Sequence, residues 1–244
     1  MSAHFSMKDF PQANATAGAP APRADAGAPA AQALPRGARL DADLEIEGVL
    51  ATSSFGIVYR ALDRSLQRPL AIKEYLPVAL AMRDPVRQVV LRPGAQAELF
   101  DRGRAAFLEE SRQLARCDHP SLLRVLRVWE RGGTAYRAMP FYDGRSLLEL
   151  REAMADPPDE SALRALLDGL LGALEALHRE GLVHGADAPD NILLLADDRP
   201  VLLDFGAVAR AVAGEQAQGL MALLQPSFVP MERVGATPDA PPMQ

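Results

Sequence analysis

The stretch that decides the fold is AIKEYLP, residues 71–77. Its first residues complete a short apolar pattern, 70–73, that is typical of a β-strand ending on a charged residue. Of the 26 basic residues in the chain, only Lys8 and Lys73 are lysines. Because the lysine ammonium is a compact point charge that arginine does not reproduce, a lysine kept at the end of this strand indicates a chemical role.

Further strand patterns lie on both sides of this stretch. Alternating or β-branched residues predict strands, and Gly132-Gly133 predicts a turn between the last two of them. The apolar spacing around Glu110 predicts one helix among these strands, over 104–116. The predicted strands are 44–47, 56–61, 70–73, 122–130 and 134–141.

The chain becomes helical after Gly144. Leucines at helical spacing from residue 163 to 177 predict a long helix, with Asp159 or Ser161 as its N-cap and Gly181 as its stop. A hairpin is predicted next, with short strands at 191–194 and 201–204 and a turn at Asp197-Asp198.

Composition excludes several classes of protein. Apolar residues make up 48% of the 244 and charged residues 24%, which is ordinary for a soluble globular chain. The net charge of −6 argues against a nucleic-acid-binding protein. The single cysteine, Cys117, excludes a disulfide scaffold and fits a reducing compartment. No apolar run reaches the ~18–20 residues of a membrane helix and no secretory signal is evident, so we expect a cytoplasmic protein.

The first 40 residues differ from the rest. Of these, 21 are Ala, Pro or Gly, with no apolar periodicity. Such a segment buries too little apolar surface to offset the entropy of ordering. We therefore expect residues 1–40 to be a disordered leader.

The order of several residues then points to a family. Gly56 closes a small polar loop, Lys73 ends the next strand, and Glu110 lies in the following helix; His184, Asn191 and Asp204-Phe205-Gly206 come later. This order resembles the signature set of protein kinases, and AIKEYLP resembles bacterial Ser/Thr protein kinases in particular. The resemblance implies an α+β, two-lobe, protein-kinase-like fold. It places a small antiparallel sheet with one helix at 41–142 and a partial helical lobe at 143–232, followed by a tail at 233–244.

The resemblance also implies roles for the charged residues. Lys73 would contact the α- and β-phosphates of ATP while paired with Glu110; Glu109 is the competing candidate for that partner. Asp204 and Asn191 would hold Mg²⁺, which prefers hard oxygen ligands. The cofactors implied are therefore ATP and Mg²⁺.

The adenine side of the site is implied in the same way. Met139 would be the gatekeeper of the pocket, and Pro140 to Tyr142 the hinge. Proline lacks an N–H, but that hinge position offers only its carbonyl, and Tyr142 keeps the amide donor. The residues expected to enclose the base are Val58, Ala71 and Leu193, each of which is equally compatible with an ordinary core position.

Two departures from the family pattern bear on activity. The phosphate loop would place Ala51 and Ser53 where the family has glycines, with only Gly56 retained, which predicts a weaker grip on phosphate. The position of the family's catalytic aspartate holds Ala186, which cannot accept a proton. Asp187 is a weak substitute because a one-residue shift in an extended loop turns the side chain the other way. Asp190 is a poorer candidate still.

The end of the chain raises a further expectation. Residues 228–232, FVPME, resemble the motif that closes the kinase activation segment, and Ser227 is the only hydroxyl residue between Asp204 and Glu232. Phosphorylation of this segment is therefore not expected to regulate the protein. Only twelve residues follow, so we expect a helical lobe that is incomplete and exposes an apolar patch to a protein partner.

Three hypotheses about function follow. The first is a kinase-family domain that binds ATP and Mg²⁺ without transferring phosphate, that is, a pseudokinase. The second is an active atypical Ser/Thr protein kinase, completed by another chain, that transfers the γ-phosphate of ATP to protein Ser or Thr. The third is a small-molecule kinase of related fold, which the AIKEY context makes weaker.

Overall fold

The computed structural model describes residues 31–155, 157–184 and 188–203, together with Val208 and Ala211. The first lobe contains an antiparallel sheet of five strands: β1 (Leu44–Ser53), β2 (Gly56–Asp63), β3 (Arg68–Tyr75), β6 (Arg127–Arg131) and β7 (Thr134–Pro140). Their order in this part of the chain is β1-β2-β3-β7-β6. The stretch AIKEYLP runs from the middle of β3, the central strand, into the loop that follows it.

A hairpin and a helix separate β3 from β6. The hairpin consists of β4 (Ala81–Arg83) and β5 (Val89–Leu91), and the helix α1 spans Ala97–Leu114. The buried face of α1 includes Phe100, Phe107, Glu110 and Leu114, the helical spacing seen in the sequence. The helix begins seven residues before the predicted start at residue 104.

The second lobe begins at β8 (Gly144–Ser146) and α2 (Leu147–Ala153). Ser146 and Glu149 cap α2 reciprocally, each side chain accepting from the other's backbone N–H. The long helix α3 spans Glu160–Arg179, and its N-cap is Asp159, which accepts from Ala162 N at 2.8 Å. It stops before Gly181, whose φ of +70° suits glycine.

A short hairpin completes the described part of this lobe. A single 3₁₀ turn at Pro189–Asn191 leads into β9 (Ile192–Leu195), which pairs with β10 (Pro200–Leu202) and with β8. The predicted hairpin is thus present. Among the described helices none is long and apolar enough to cross a bilayer.

Residues 31–40 pack on the sheet, contrary to the expectation that the whole leader is disordered. Leu34 and Leu40 are buried, and backbone hydrogen bonds join Gly37 and Ala38 to Ile46 of β1. Arg83 also donates from its backbone N and its Nε to Gln32. Two leucines and these bonds anchor the segment, although its composition is that of a flexible chain. Residues 1–30 lie outside the described ranges.

Two further boundaries differ from prediction. The strand expected at 122–130 begins only at Arg127. Residues 122–126 contact both lobes instead, since Leu123 N donates to the Leu202 carbonyl and Leu126 N to the Ala138 carbonyl. The β4–β5 hairpin and α2 were not predicted, since each is too short to show a clear period.

Candidate functional site

One face of the sheet carries four of the site residues expected from the sequence, Val58, Ala71, Lys73 and Met139. In the antiparallel register, Lys73 of β3 lies opposite Val58 of β2 on one side and Arg137 of β7 on the other. Ala71, two residues earlier, lies opposite Met139. Because directly opposed residues project from the same face and alternate residues share it, these five side chains form one surface, the cleft face.

The helix α1 packs on the cleft face. Arg137 Nη1 donates to Glu110 Oε1 at 2.7 Å, and the two side chains are only 1% and 5% exposed. The Arg137 guanidinium also lies 5.5 Å from the centre of the Phe107 ring, one turn earlier in the helix. Arg137 therefore contacts α1 at two successive turns.

The structure distinguishes the two neighbouring glutamates of α1. Glu110 is buried against the sheet, whereas the side chain of Glu109 is 57% exposed and pairs with Arg112 at 3.8 Å. Glu110 is the glutamate that contacts the sheet, through Arg137 of β7, the strand next to the one that carries Lys73. Sequence reasoning did not identify Arg137, because an arginine inside an apolar strand resembles an outward-facing residue.

An apolar cluster lies beside this charged group. Ala71 and Met139 are buried in one hydrophobic cluster that joins the two lobes. Val58 packs on that cluster, and so do Leu50, Tyr142 and Leu203, of which the first and last were not predicted. Both residues could have been found from the sequence, because Leu50 immediately precedes the predicted phosphate loop and Leu203 immediately precedes Asp204.

Leu193 and the hinge residues Pro140 and Tyr142 lie outside the cleft face. Leu193 is half-buried in β9, between Ser146 and Val201 in the register. Pro140 ends β7, opposite Leu70. The Tyr142 hydroxyl accepts from Arg124 N at 3.2 Å, which joins the hinge to the segment 122–126 that precedes β6.

The phosphate loop is a two-residue turn between β1 and β2. Ser53 and Gly56 pair across it, and Ser53 Oγ donates to the Gly56 carbonyl at 3.2 Å. Leu76 N donates to the Phe55 carbonyl at 2.9 Å, which ties the turn to the end of AIKEYLP. A Cβ on Gly56 would clash with the Glu74 carbonyl oxygen. Close approach to β3 therefore requires glycine here.

The catalytic-loop region is described on both sides of a gap. His184 is buried before it. After it, Asn191 ends the 3₁₀ turn, and Leu203 N donates to the Asn191 carbonyl at 2.9 Å. Asn191 therefore lies next to the strand that leads into Asp204. The predictions for Ala186, Asp187, Asp204 and residues 228–244 fall outside the described residues.

The opposite face of β3 carries a second charged cluster. Glu74 is fully buried and accepts from the Tyr59 hydroxyl at 2.6 Å, the Tyr136 hydroxyl at 2.8 Å and Arg83 Nη2 at 2.6 Å. Burial, followed by the adjacent Glu74 charge, raises the pKa of Tyr59 and of Tyr136 above the ordinary value. This cluster lies on the face of the sheet that residues 31–40 cover and not on the cleft face, since Leu34 N donates to the Tyr59 hydroxyl.

Comparison with known proteins agrees with this architecture. The family model for the protein kinase domain matches residues 44–240. The chain therefore belongs to the protein kinase family, and its relatives place it among the bacterial Ser/Thr kinases. It is 32% identical over 202 residues to the serine/threonine-protein kinase PknK of Mycobacterium tuberculosis, a match that covers 82% of this chain and 16% of PknK.

Two further similarities are informative. The serine/threonine-protein kinase PknL of Mycobacterium tuberculosis is 32% identical over 72% of this chain, which spans 39% of PknL. The solved apo form of PpkA-294 is 39% identical with a TM-score of 0.77, covering 84% of this chain and 72% of that one. The protein-kinase-like fold expected from the sequence is thus confirmed. The chain spans well under half the length of these two curated relatives.

Proposed function

We propose that the cleft face binds ATP, with the adenine against the apolar cluster and the phosphates at Lys73. The observation that carries this proposal is the shared face of Ala71, Met139, Lys73 and Arg137. Two residues along a strand span about 6.6 Å, so the apolar pair and the cationic pair are spaced like the base and the phosphates of a nucleotide. A ligand with an apolar end and an anionic end fits this arrangement.

Magnesium would be held by Asn191 and Asp204. Leu203, the residue before Asp204 in the sequence, donates from its backbone N to the Asn191 carbonyl, and an amide oxygen with a carboxylate matches the hard-oxygen preference of Mg²⁺. The ion would neutralise charge on the β- and γ-phosphates. Among the described residues there is no group of three His, Cys, Asp or Glu side chains that could hold a metal ion.

We further propose that the domain is a pseudokinase. Phosphoryl transfer needs a carboxylate that orients the attacking hydroxyl, and Ala186 stands at that position. Ser53 and Ala51 in place of glycines also restrict the phosphate loop. The alternative is an active atypical Ser/Thr kinase that uses Asp187. The names of the relatives favour it, since PknK and PknL are both called serine/threonine-protein kinases.

Nucleotide binding is tested by thermal shift with and without Mg-ATP. A ligand present at 100 times its Kd stabilises the folded state by ~2.7 kcal/mol, so the wild-type melting temperature should rise by several degrees. The rise should disappear in Lys73→Met and shrink in Asp204→Asn. Lys8→Met, which changes the other lysine in the chain, is the matched control and should keep the full rise. Equal rises in all four proteins would refute binding at Lys73.

We also infer a cytoplasmic location and a protein partner for the second lobe. The only cysteine, Cys117, is buried, and burial raises its pKa, as expected for an unreactive thiol in a reducing compartment. Leu163, Leu167 and Leu171 form an exposed apolar stripe on α3. Sedimentation of the chain should show self-association or aggregation that Leu167→Ser reduces; a monomer with no change in the variant would count against a partner at this stripe.

A further inference from the structure

Arg137 reaches α1 from the middle of the sheet. Its guanidinium binds Glu110 in the last part of the helix and lies over the ring of Phe107 one turn earlier. Both members of the ion pair are buried, and desolvating two charges costs several kcal/mol per ion before their attraction is counted. A buried arginine in β7, an interior strand of the sheet, therefore costs more free energy than an apolar residue at the same position would.

Stability alone does not account for this pair. Buried ion pairs often contribute little net stability compared with apolar residues of similar volume, but they favour one arrangement over its alternatives. Tyr75 already fastens the beginning of α1, since its hydroxyl donates to the Phe100 carbonyl at 3.0 Å. Arg137 supplies a directional contact about ten residues later, and so restricts rotation and sliding of the helix.

We propose that Arg137 is a positioning residue, which holds Glu110 and the adjoining turn of α1 against the sheet before any nucleotide binds. Lys73 lies directly opposite Arg137, so Glu110 is kept on the side of the sheet where Lys73 lies. The position of α1 then depends on Arg137 as well as on the expected pair of Lys73 with Glu110. The consequence for Mg-ATP affinity rests on the proposed function; the consequence for the helix does not.

The helix itself is tested by hydrogen exchange of the nucleotide-free chain. Arg137→Met should accelerate exchange of the amides of residues 107–114 at least tenfold. The matched control is Arg83→Met, because Arg83–Glu74 is also a buried Arg–Glu pair but lies on the opposite face of the sheet. This control should destabilise the fold without a selective effect on α1. Equal acceleration of α1 exchange in both variants would overturn the proposal.

The coupling to nucleotide is tested by a double-mutant cycle on the Kd for Mg-ATP. Misplacement of a binding group by ~1 Å can cost up to ~10²-fold, so Arg137→Met should weaken binding about tenfold, and Arg83→Met less than twofold. In a Glu110→Gln background, Arg137→Met should have almost no further effect, because its action passes through Glu110. The same loss in both backgrounds would mean that Arg137 does not act through Glu110.

Two outcomes separate this inference from the proposed function. If the wild type binds no Mg-ATP but Arg137→Met selectively loosens α1, nucleotide binding fails and the positioning role stands. If Arg137→Met does not fold, the Arg137→Met/Glu110→Met double variant removes both charges and should recover the melting temperature. Rapid α1 exchange in that stable variant supports positioning, whereas wild-type exchange overturns it.

Discussion

Lys73 and Arg137 stand directly opposite each other on β3 and β7, on the face that α1 covers. Arg137 binds one carboxylate oxygen of the buried Glu110 at 2.7 Å. Ala71 and Met139 lie two residues along the same two strands, and both are buried in the apolar cluster. This placement of apolar and cationic side chains on one face of the sheet is the basis for the proposed ATP site.

Residues 31–40 are expected to be part of the folded domain. Removing residues 1–30 should leave the melting temperature unchanged, because their composition buries little apolar surface. Removing residues 1–40 should lower it by several degrees, since Leu34 and Leu40 are buried and each such side chain contributes ~1.5–3 kcal/mol. Calorimetry of the two truncated proteins checks this. Identical melting temperatures would show that the segment contributes nothing to stability.

Gly56, in the predicted phosphate loop, is expected to be needed for packing of the loop against β3 as well as for ligand binding. Gly56→Ala should destabilise the fold by about 1–3 kcal/mol, because its Cβ would meet the backbone of β3 at Glu74. Gly48→Ala is the control, since Gly48 lies in β1 where the methyl group of an alanine would enter open space. Urea denaturation measures both. A larger cost at Gly48 than at Gly56 would contradict the close-approach argument.

Stability should fall in strong alkali because of Tyr59 and Tyr136. Their pKa values are raised in the folded state above the ordinary 10.0, so both remain protonated there while the unfolded chain ionises. Their contribution is complete below pH 10 and is lost above it, at about 1.4 kcal/mol per pH unit for each tyrosine. Denaturation of the wild type and of Tyr59→Phe/Tyr136→Phe between pH 9 and 11 checks this. Equal slopes in the two proteins would exclude these tyrosines.

The residues of the cleft face were easier to predict from the sequence than the residues that pack behind them. Val58, Ala71, Lys73 and Met139 could be recognised because strand alternation and family order agree at these positions. Arg137 could not, because its burial depends on a helix far away in sequence. Residues 31–40 were missed for a related reason: two leucines that anchor the segment are hidden in a composition typical of disorder. Both failures concern tertiary contacts that local patterns do not encode.

The most direct test of the central claim is phosphotransfer by the unmodified chain under conditions where Mg-ATP binding has been established. Radiolabelled γ-phosphate transfer to a generic protein substrate, and to the chain itself, should be absent in the wild type, because Ala186 cannot orient the attacking hydroxyl. Asp187→Ala should likewise bind Mg-ATP with unchanged affinity. Robust transfer by the wild type that Asp187→Ala abolishes would contradict the pseudokinase assignment and identify Asp187 as the base.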